Sequence, residues 1–354
     1  MGLLSNLIHS VQVSQSASNV LGIDIGSSSI KVVELEDKAG VLTLVTYGEI
    51  QLGPYAEKAL GAVVQLGPKK EQEALVDVIR ESAVKAKQAV FAMPLSASFI
   101  STTVLKAGQD ADLSAQVRIE AKKIIPASLS EVTLDWAELE ATAEQEGRPV
   151  LIAAIQNTAI ERLGVLMQFV GLQDSPTEIE CFSTSRTVPT NGHHVVMDFG
   201  ASSAKMYISN DGVLNRMHRI NVGGSQVSQQ FSELQEVDFE AAELQKIQLT
   251  TDSAEYASLQ GVYNKVYSRA LREFRQVLDH YQSAHDTQIA VIHVCGGASM
   301  FEGMNKILQD SVGIPAEYIN PFSNVAYPAF MEDAMKEIGP SFVPALGAAL
   351  RHFE

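Results

Sequence analysis

One ten-residue phrase occurs twice in this chain, and that duplication limits the fold more than any other feature of it. Residues 22–31 read GIDIGSSSIK and residues 196–205 read VMDFGASSAK. Asp24, Gly26, Ser28, Ser29 and Lys31 return in the same order and spacing as Asp198, Gly200, Ser202, Ser203 and Lys205. Each copy ends an apolar strand in a Gly/Ser turn and opens a second strand, which is the pattern of a hairpin. A duplicated unit of this kind implies two similar lobes facing each other.

The bulk properties agree with a folded two-lobed protein. A length of 354 residues suits two or three domains. A composition 46% hydrophobic and 19% charged is that of an ordinary globular chain. No run of about 18 apolar residues occurs, so no membrane span is expected. The first residues have neither the basic start nor the apolar stretch of a secretory signal. Asn6 stands where a myristoylation signal needs a hydroxyl. The expected compartment is the cytoplasm. Cys181 and Cys295 lie in apolar stretches without metal or disulfide spacing and read as buried thiols. The formal charge of −16 argues against nucleic acid and against plain electrostatic adhesion to anionic lipid. Membrane contact, if any, is therefore indirect and made through another protein.

Hydrophobic periodicity divides the chain further. Residues 1–18 form a tail, with Leu4, Leu7, Ile8 and Val11 at helical spacing. Strands are expected at 20–25, 30–36, 41–50 and 89–94, with a helix over 71–87. A β–α–β–β–α block follows: strands 99–105, 132–139 and 150–156, helices 113–125 and 158–170. It reads as a small α+β insertion over 95–170 with its own sheet. The second copy opens at 194 and is followed by helices at 225–234, 239–247 and 261–284. A buried strand at 289–294 then runs into Gly296-Gly297-Ala298-Ser299, a helix follows at 304–310, and the last helix spans 344–351. The domains expected are a first lobe of 19–94, 171–190 and 340–354, a second lobe of 191–224 and 287–339, and a helical subdomain of 225–286.

The twin turns point to phosphate. A polyphosphate meets an acidic protein here, so backbone N–H groups, a cation and Mg²⁺ must together outweigh the repulsion. Gly26 and Gly200 let the main chain approach phosphate oxygens with no Cβ in the way. Ser27, Ser28 and Ser29, with Ser202 and Ser203, add hydroxyls, and Lys31 adds the cation. Asp24 and Asp198, at strand ends, suit Mg²⁺ held through water, because Mg²⁺ keeps much of its water shell. A second phosphate lysine is not needed, so Lys205 stays outside this set. Two ordinary hairpins would explain a single such turn, but not two matching turns followed by Gly296-Gly297-Ala298-Ser299. His193-His194 reads as a pair of ordinary edge histidines, and Trp136, Tyr263, Tyr267 and Phe274 read as core.

The three Gly-rich elements, in this order, resemble the phosphate-one, phosphate-two and adenosine motifs of the actin, sugar-kinase and heat-shock-chaperone superfamily. The likeness narrows to the PilM family of type IV pilus assembly proteins through residues 21–35, residues 119–126 (IEAKKIIP), residues 131–135 (EVTLD), Asn320-Pro321-Phe322 and residues 346–351 (LGAALR). It implies a two-lobed actin-like ATPase fold, of duplicated ribonuclease-H-like domains, with an FtsA-type α+β inserted subdomain. It implies ATP and Mg²⁺ as ligands. Asp24, Gly26, Ser27, Ser28, Ser29 and Lys31 would grip the β- and γ-phosphates, and Asp198, Gly200 and Ser202 would form the opposing turn. Gly296, Gly297 and Ser299 would approach the adenosine. Glu243 and Lys246 fall where relatives contact ribose and adenine, though a solvated helical face fits their spacing equally well. Glu180 matches the segment where relatives orient the attacking water. The partner implied is the N-terminal cytoplasmic tail of a PilN-like inner-membrane protein, bound between the first lobe and the insertion. Pilus motor ATPases and other inner-membrane pilus proteins are further partners, and the implied location is peripheral to the inner membrane.

Two departures weaken hydrolysis more than binding. The connecting segment, usually Ala-rich, reads Cys181-Phe182-Ser183-Thr184-Ser185-Arg186, and Ala201 stands where the first copy has Ser27. Weak or absent ATPase activity is the expectation, since stabilising a bound ground state does not lower the barrier. The rivals are a small-molecule kinase of the same fold, an FtsA-like division protein and the cytoplasmic half of a type II secretion platform protein. They lack, respectively, an identifiable catalytic base, a basic amphipathic C-terminal helix and a following membrane span in this sequence.

Overall fold

The computed structural model describes residues 19–106, 112–141, 146–173 and 177–354. The helical spacing of Leu4, Leu7, Ile8 and Val11 lies outside them. The first sheet contains β1 (Asn19–Ile25), β2 (Ser29–Lys38), β3 (Val41–Gln51), β4 (Ala89–Met93) and the short β8 (Glu178–Ile179), in the order β3-β2-β1-β4-β8. The second contains β9 (His193–Phe199), β10 (Ala204–Asn210), β11 (Val213–Ile220), β12 (Ile292–Cys295) and β13 (Ala316–Tyr318), in the order β11-β10-β9-β12-β13. The two orders are the same: an antiparallel three-strand meander, then two strands added in parallel. Register repeats as well. Asp24 pairs with Lys31 in the first sheet, and Asp198 with Lys205 in the second.

Strands β4 and β12 are buried along their whole length, as parallel strands covered on both faces must be. Part of the cover on the first sheet is the C-terminal helix Glu332–Leu350, which packs across β1, β2 and β4. It lies so close to β1 that a Cβ on Gly22 would fall on the carbonyl oxygen of Ala345. This helix begins twelve residues before the expected 344. Pro340 and Pro344 sit inside it, where a sequence reading takes proline as a helix start.

The insertion forms a separate antiparallel sheet of β5 (Ser98–Leu105), β7 (Arg148–Gln156) and β6 (Val132–Glu138), in that order, with helices Ser114–Ile124 and Asn157–Val170. Gly171 ends the latter in the left-handed conformation, φ +74°. Three helices, Gly224–Gln235, Phe239–Gln248 and Tyr256–Ala284, pack against the second sheet. The third of these starts five residues earlier than expected. Tyr263, Tyr267 and Phe274 are core residues on it, and Trp136 is half-buried against the insertion's core. The helix expected over 71–87 instead runs Pro68–Glu81, and Ala83 beyond it takes a left-handed conformation that stops it. The strand expected at 289–294 is the shorter Ile292–Cys295.

A candidate nucleotide cleft

Both turns close in the same way. Gly26 N–H donates to Ser29 O at 2.9 Å, and Gly200 N–H donates to Ser203 O at 2.9 Å. The next strand therefore starts in register with the last, and the aspartate and lysine of each copy stand side by side. The first turn is held from behind by the loop leading from β3 to helix Pro68–Glu81. Leu52 N–H donates to Ser28 O at 2.8 Å, and Val64 N–H to Ser27 O at 2.9 Å. The same loop reaches across to the helical subdomain, where a Cβ on Gly61 would lie 2.5 Å from Glu243 Cδ.

The second turn is held by Gly223-Gly224, a doublet not singled out in the sequence. Gly224 N–H donates to Gly200 O and Ser225 N–H to Ala201 O, both at 3.0 Å, and a Cβ on Gly223 would strike Ala201. This contact brings helix Gly224–Gln235 and its neighbour Phe239–Gln248 to the turn. Lys246 Nζ donates to Ser228 Oγ at 2.9 Å, to Gly224 O at 3.3 Å and to Glu243 at 2.6 Å. Lys246 is buried, and Ser228 donates to Glu243 as well. The solvated-face reading of Glu243 and Lys246 is thus corrected: the pair packs inward, onto the second turn. Burial holds the Lys246 amine below its usual value, with the Glu243 carboxylate opposing.

Gly296 completes this side. It has φ +93°, and a Cβ there would meet Phe199 O and lie 2.5 Å from Asp198 Oδ1, so only glycine fits. Ser299 is buried, and its hydroxyl donates to Gly296 O at 2.7 Å, so it shapes the Gly296–Gly297 bend. Gly297 is exposed.

The centre between the lobes holds Asp24, Glu180, Asp198 and Lys205. Glu180 opens the short helix Glu180–Ser185, and its position is set by a buried network beneath. Arg186 and Arg351 both donate to the fully buried Glu178, and the Ser183 backbone lies where a Cβ on Gly347 would fall. Glycine is needed at 347 for that crossing, and the Ser183 hydroxyl donates to Glu178 at 2.6 Å. Glu180 Oε1 accepts Leu95 N–H at 2.7 Å, and Oε2 accepts Lys205 Nζ at 2.6 Å. Lys205 Nζ also donates to Asp198 Oδ2 at 3.0 Å. Lys205, left out of the site on sequence grounds, is therefore its central cation. Burial works against its charge, but the Asp198 and Glu180 carboxylates outweigh that and raise its pKa.

Asp24 has the opposite problem. Burial, then the Glu180 carboxylate, push its carboxyl up to about 7, with Lys31 and Lys205 opposing. Burial and an acidic neighbour thus disfavour its charged form, and a cation placed beside it would favour that form. Asp198 does not fit a metal in the same way, because an ammonium already occupies Oδ2. Among the described residues no group of three or more His, Cys, Asp or Glu is placed to hold a metal ion. Lys31 donates to Ser29 Oγ at 2.8 Å and lies 3.0 Å from Glu49. Both cysteines are buried, and burial pushes their thiols well up. His193 pairs with the Tyr281 hydroxyl, and His194 with His293.

Comparison with known proteins gives the family and the fold. The family model described as type IV pilus assembly protein PilM matches residues 22–353. A solved PilM-PilN type IV pilus biogenesis complex is similar at TM-score 0.78 and 23% identity, over 95% of this chain and 98% of that one. The ethanolamine utilization protein EutJ from Carboxydothermus hydrogenoformans is similar at TM-score 0.56 and 16% identity, over 96% and 92%. MreB 5 of Spiroplasma citri, solved bound to AMPPNP, is similar at TM-score 0.51 and 9% identity, over 95% and 96%. The fold is the two-lobed actin-like ATPase fold.

Proposed function

The chain belongs to the type IV pilus assembly protein PilM family, and from that premise we propose that it is a nucleotide-binding scaffold which docks the cytoplasmic tail of a PilN-like membrane protein. The observation that carries the nucleotide half is the facing pair of Gly/Ser turns, joined through Lys205 and Glu180. ATP would lie with its phosphates between Gly26–Ser29 and Gly200–Ser202, Lys31 beside them, and its nucleoside towards Glu243, Lys246 and Gly296–Ser299. Mg²⁺ would be held through water on the Asp24 side, where it would neutralise phosphate charge. Glu180, engaged by Lys205 and Leu95, is poorly free to orient water, so turnover should stay well below about 1 s⁻¹, the low end for ordinary enzymes.

An apolar slot between the first lobe and the insertion supports the docking half. Ile25, Phe91, Met93 and Pro94 line it from the lobe, Ala159, Arg162 and Leu163 from helix Asn157–Val170. Arg162 pairs with the buried Glu71 of helix Pro68–Glu81 and ties the two walls together. The slot holds about 30 Å³ and its lining is mostly core, so a docked tail would place one small side chain there and lie across its mouth. Motor ATPases and other pilus proteins of the inner membrane would be further partners, with the chain cytoplasmic and peripheral to that membrane. No helix among the described residues is long and apolar enough to cross one.

Flotation with anionic liposomes tests the reading. The chain, with its charge of −16, should float only when a peptide copying a PilN-like tail is tethered to the lipid. Flotation on bare liposomes, or indifference to the tethered peptide, would overturn it.

A further inference from the structure

Asp198 and Glu180 come from different lobes and aim one oxygen each at a single point. Two carboxylate oxygens converging on one point can share a divalent cation, for which they are hard ligands, or an ammonium. Here the point is filled by the Lys205 ammonium, 3.0 Å from Asp198 Oδ2 and 2.6 Å from Glu180 Oε2. All three side chains are at least nine-tenths buried. The other Glu180 oxygen is taken by Leu95 N–H. Lys205 is directed here by its own sheet, since its register partner on β11 is Arg219, a like charge.

We propose that Lys205 is a built-in counter-cation standing where a divalent metal would otherwise be shared by Asp198 and Glu180, so that the second turn meets phosphate with an ammonium and no metal. Phosphate as the ligand rests on the nucleotide reading above; the exchange of metal for ammonium stands without it. An ammonium has three N–H donors, and the two carboxylates use two, which leaves one for a phosphate oxygen. Unlike a metal it carries no ligand water, so the second turn itself supplies no metal-bound water to a phosphorus atom. The second turn grips phosphate without attacking it.

The test uses the full chain with Mn²⁺ alone, then with ADP. The parent melt should be insensitive to millimolar Mn²⁺. Lys205→Met and Lys205→Gln should melt lower than the parent without metal and regain about 5 °C with Mn²⁺. Lys205→Gln combined with Glu180→Gln should regain nothing, because one carboxylate of the pair is gone. For ADP, exchanging Mg²⁺ for EDTA should weaken binding to the parent by no more than about tenfold, and to Lys205→Gln by more than about a hundredfold. Equal Mn²⁺ stabilisation of parent and variants, or folded variants blind to Mn²⁺, overturns the proposal. Should neither variant fold, the parent decides: a loss above about tenfold in EDTA overturns it, and a smaller loss supports it. A parent that binds no ADP at all defeats the nucleotide reading, while the Mn²⁺ arm still judges Lys205.

Discussion

The two turns share a sequence and a backbone register, yet their lysines go opposite ways. In each sheet three strands place a row of residues side by side: Asp24, Lys31 and Glu49 in the first lobe, Asp198, Lys205 and Arg219 in the second. The third residue decides. Glu49 draws Lys31 outward to 3.0 Å and leaves Asp24 without a direct ammonium. Arg219 offers Lys205 only repulsion, and Lys205 turns inward to Asp198 and Glu180. A duplicated motif therefore does not mean a duplicated site. The first turn keeps its acid without a direct ammonium and pairs its lysine with Glu49, whereas the second has paired its acid with its own lysine.

The same contrast holds in the supporting layers, and the largest expected effect lies there. Gly22 and Val196 occupy equivalent positions two residues before the turn aspartates. Gly22 lies beneath the C-terminal helix with its backbone against Ala345 and Ala349, while Val196 fills the core. Writing alanine at both positions separates them. Gly22→Ala puts a methyl into helix backbone that cannot yield, and should cost more than about 4 kcal/mol, the range of exceptional substitutions. Val196→Ala deletes two buried methyls and should cost about 2 kcal/mol. Circular-dichroism melts would compare them; equal losses would mean that the two lobes are supported alike.

The twin aspartates come next. Asp24→Ala should weaken Mg-ADP binding about tenfold and barely change the melting temperature of the empty protein, or raise it, because a half-buried acid whose charged form is disfavoured is removed. Asp198→Ala should lower the melting temperature, since a partner of the buried Lys205 is lost, and should alter nucleotide affinity less. Calorimetry with paired melts reads both quantities. If the two variants behave alike in both, the asymmetry of the rows has no consequence.

How much of this was legible in the sequence follows from the range of the interactions involved. The paired sheets could be read from residues 22–31 and 196–205 because hairpin register is a local property, set by the turn itself. The start of the C-terminal helix could not, since the carbonyl of Pro340 that Pro344 cannot bond is taken by the distant Gly296 N–H at 2.9 Å. The inward packing of Glu243 and Lys246 depends on Gly224, about twenty residues away on another helix. The role of Lys205 was missed for the same reason. Its direction is set by Arg219 on one side and by Glu180, from the other lobe, on the other. One signal was present in the sequence: the Gly223-Gly224 doublet marks a close approach of backbones, and the second turn is where that approach occurs.

The smallest expected effect addresses the row neighbours directly. Glu49 is partly buried; burial opposes its charge, but the Lys31 ammonium prevails and holds its carboxyl below the usual value. The pair is real but only moderately shielded, with 12% and 33% of the two side chains exposed, so its net contribution to stability should be below about 1 kcal/mol. Its effect on binding is of another kind. Glu49→Gln removes a negative charge near the expected phosphates and frees Lys31 to reach them. Nucleotide affinity should therefore rise about threefold at low salt, and the gain should shrink as ionic strength rises. Arg219→Gln is the matching change in the second lobe, and there no gain is expected. Lys205 stays bound between Asp198 and Glu180, whose attraction does not depend on Arg219, so affinity should stay within about twofold of the parent. Titrations at two salt concentrations would settle the pair. A fall in affinity in Glu49→Gln would mean that Glu49 positions Lys31 for phosphate rather than holding it away. A large change in Arg219→Gln would mean that repulsion across β10 and β11, more than attraction across the cleft, keeps Lys205 where it is.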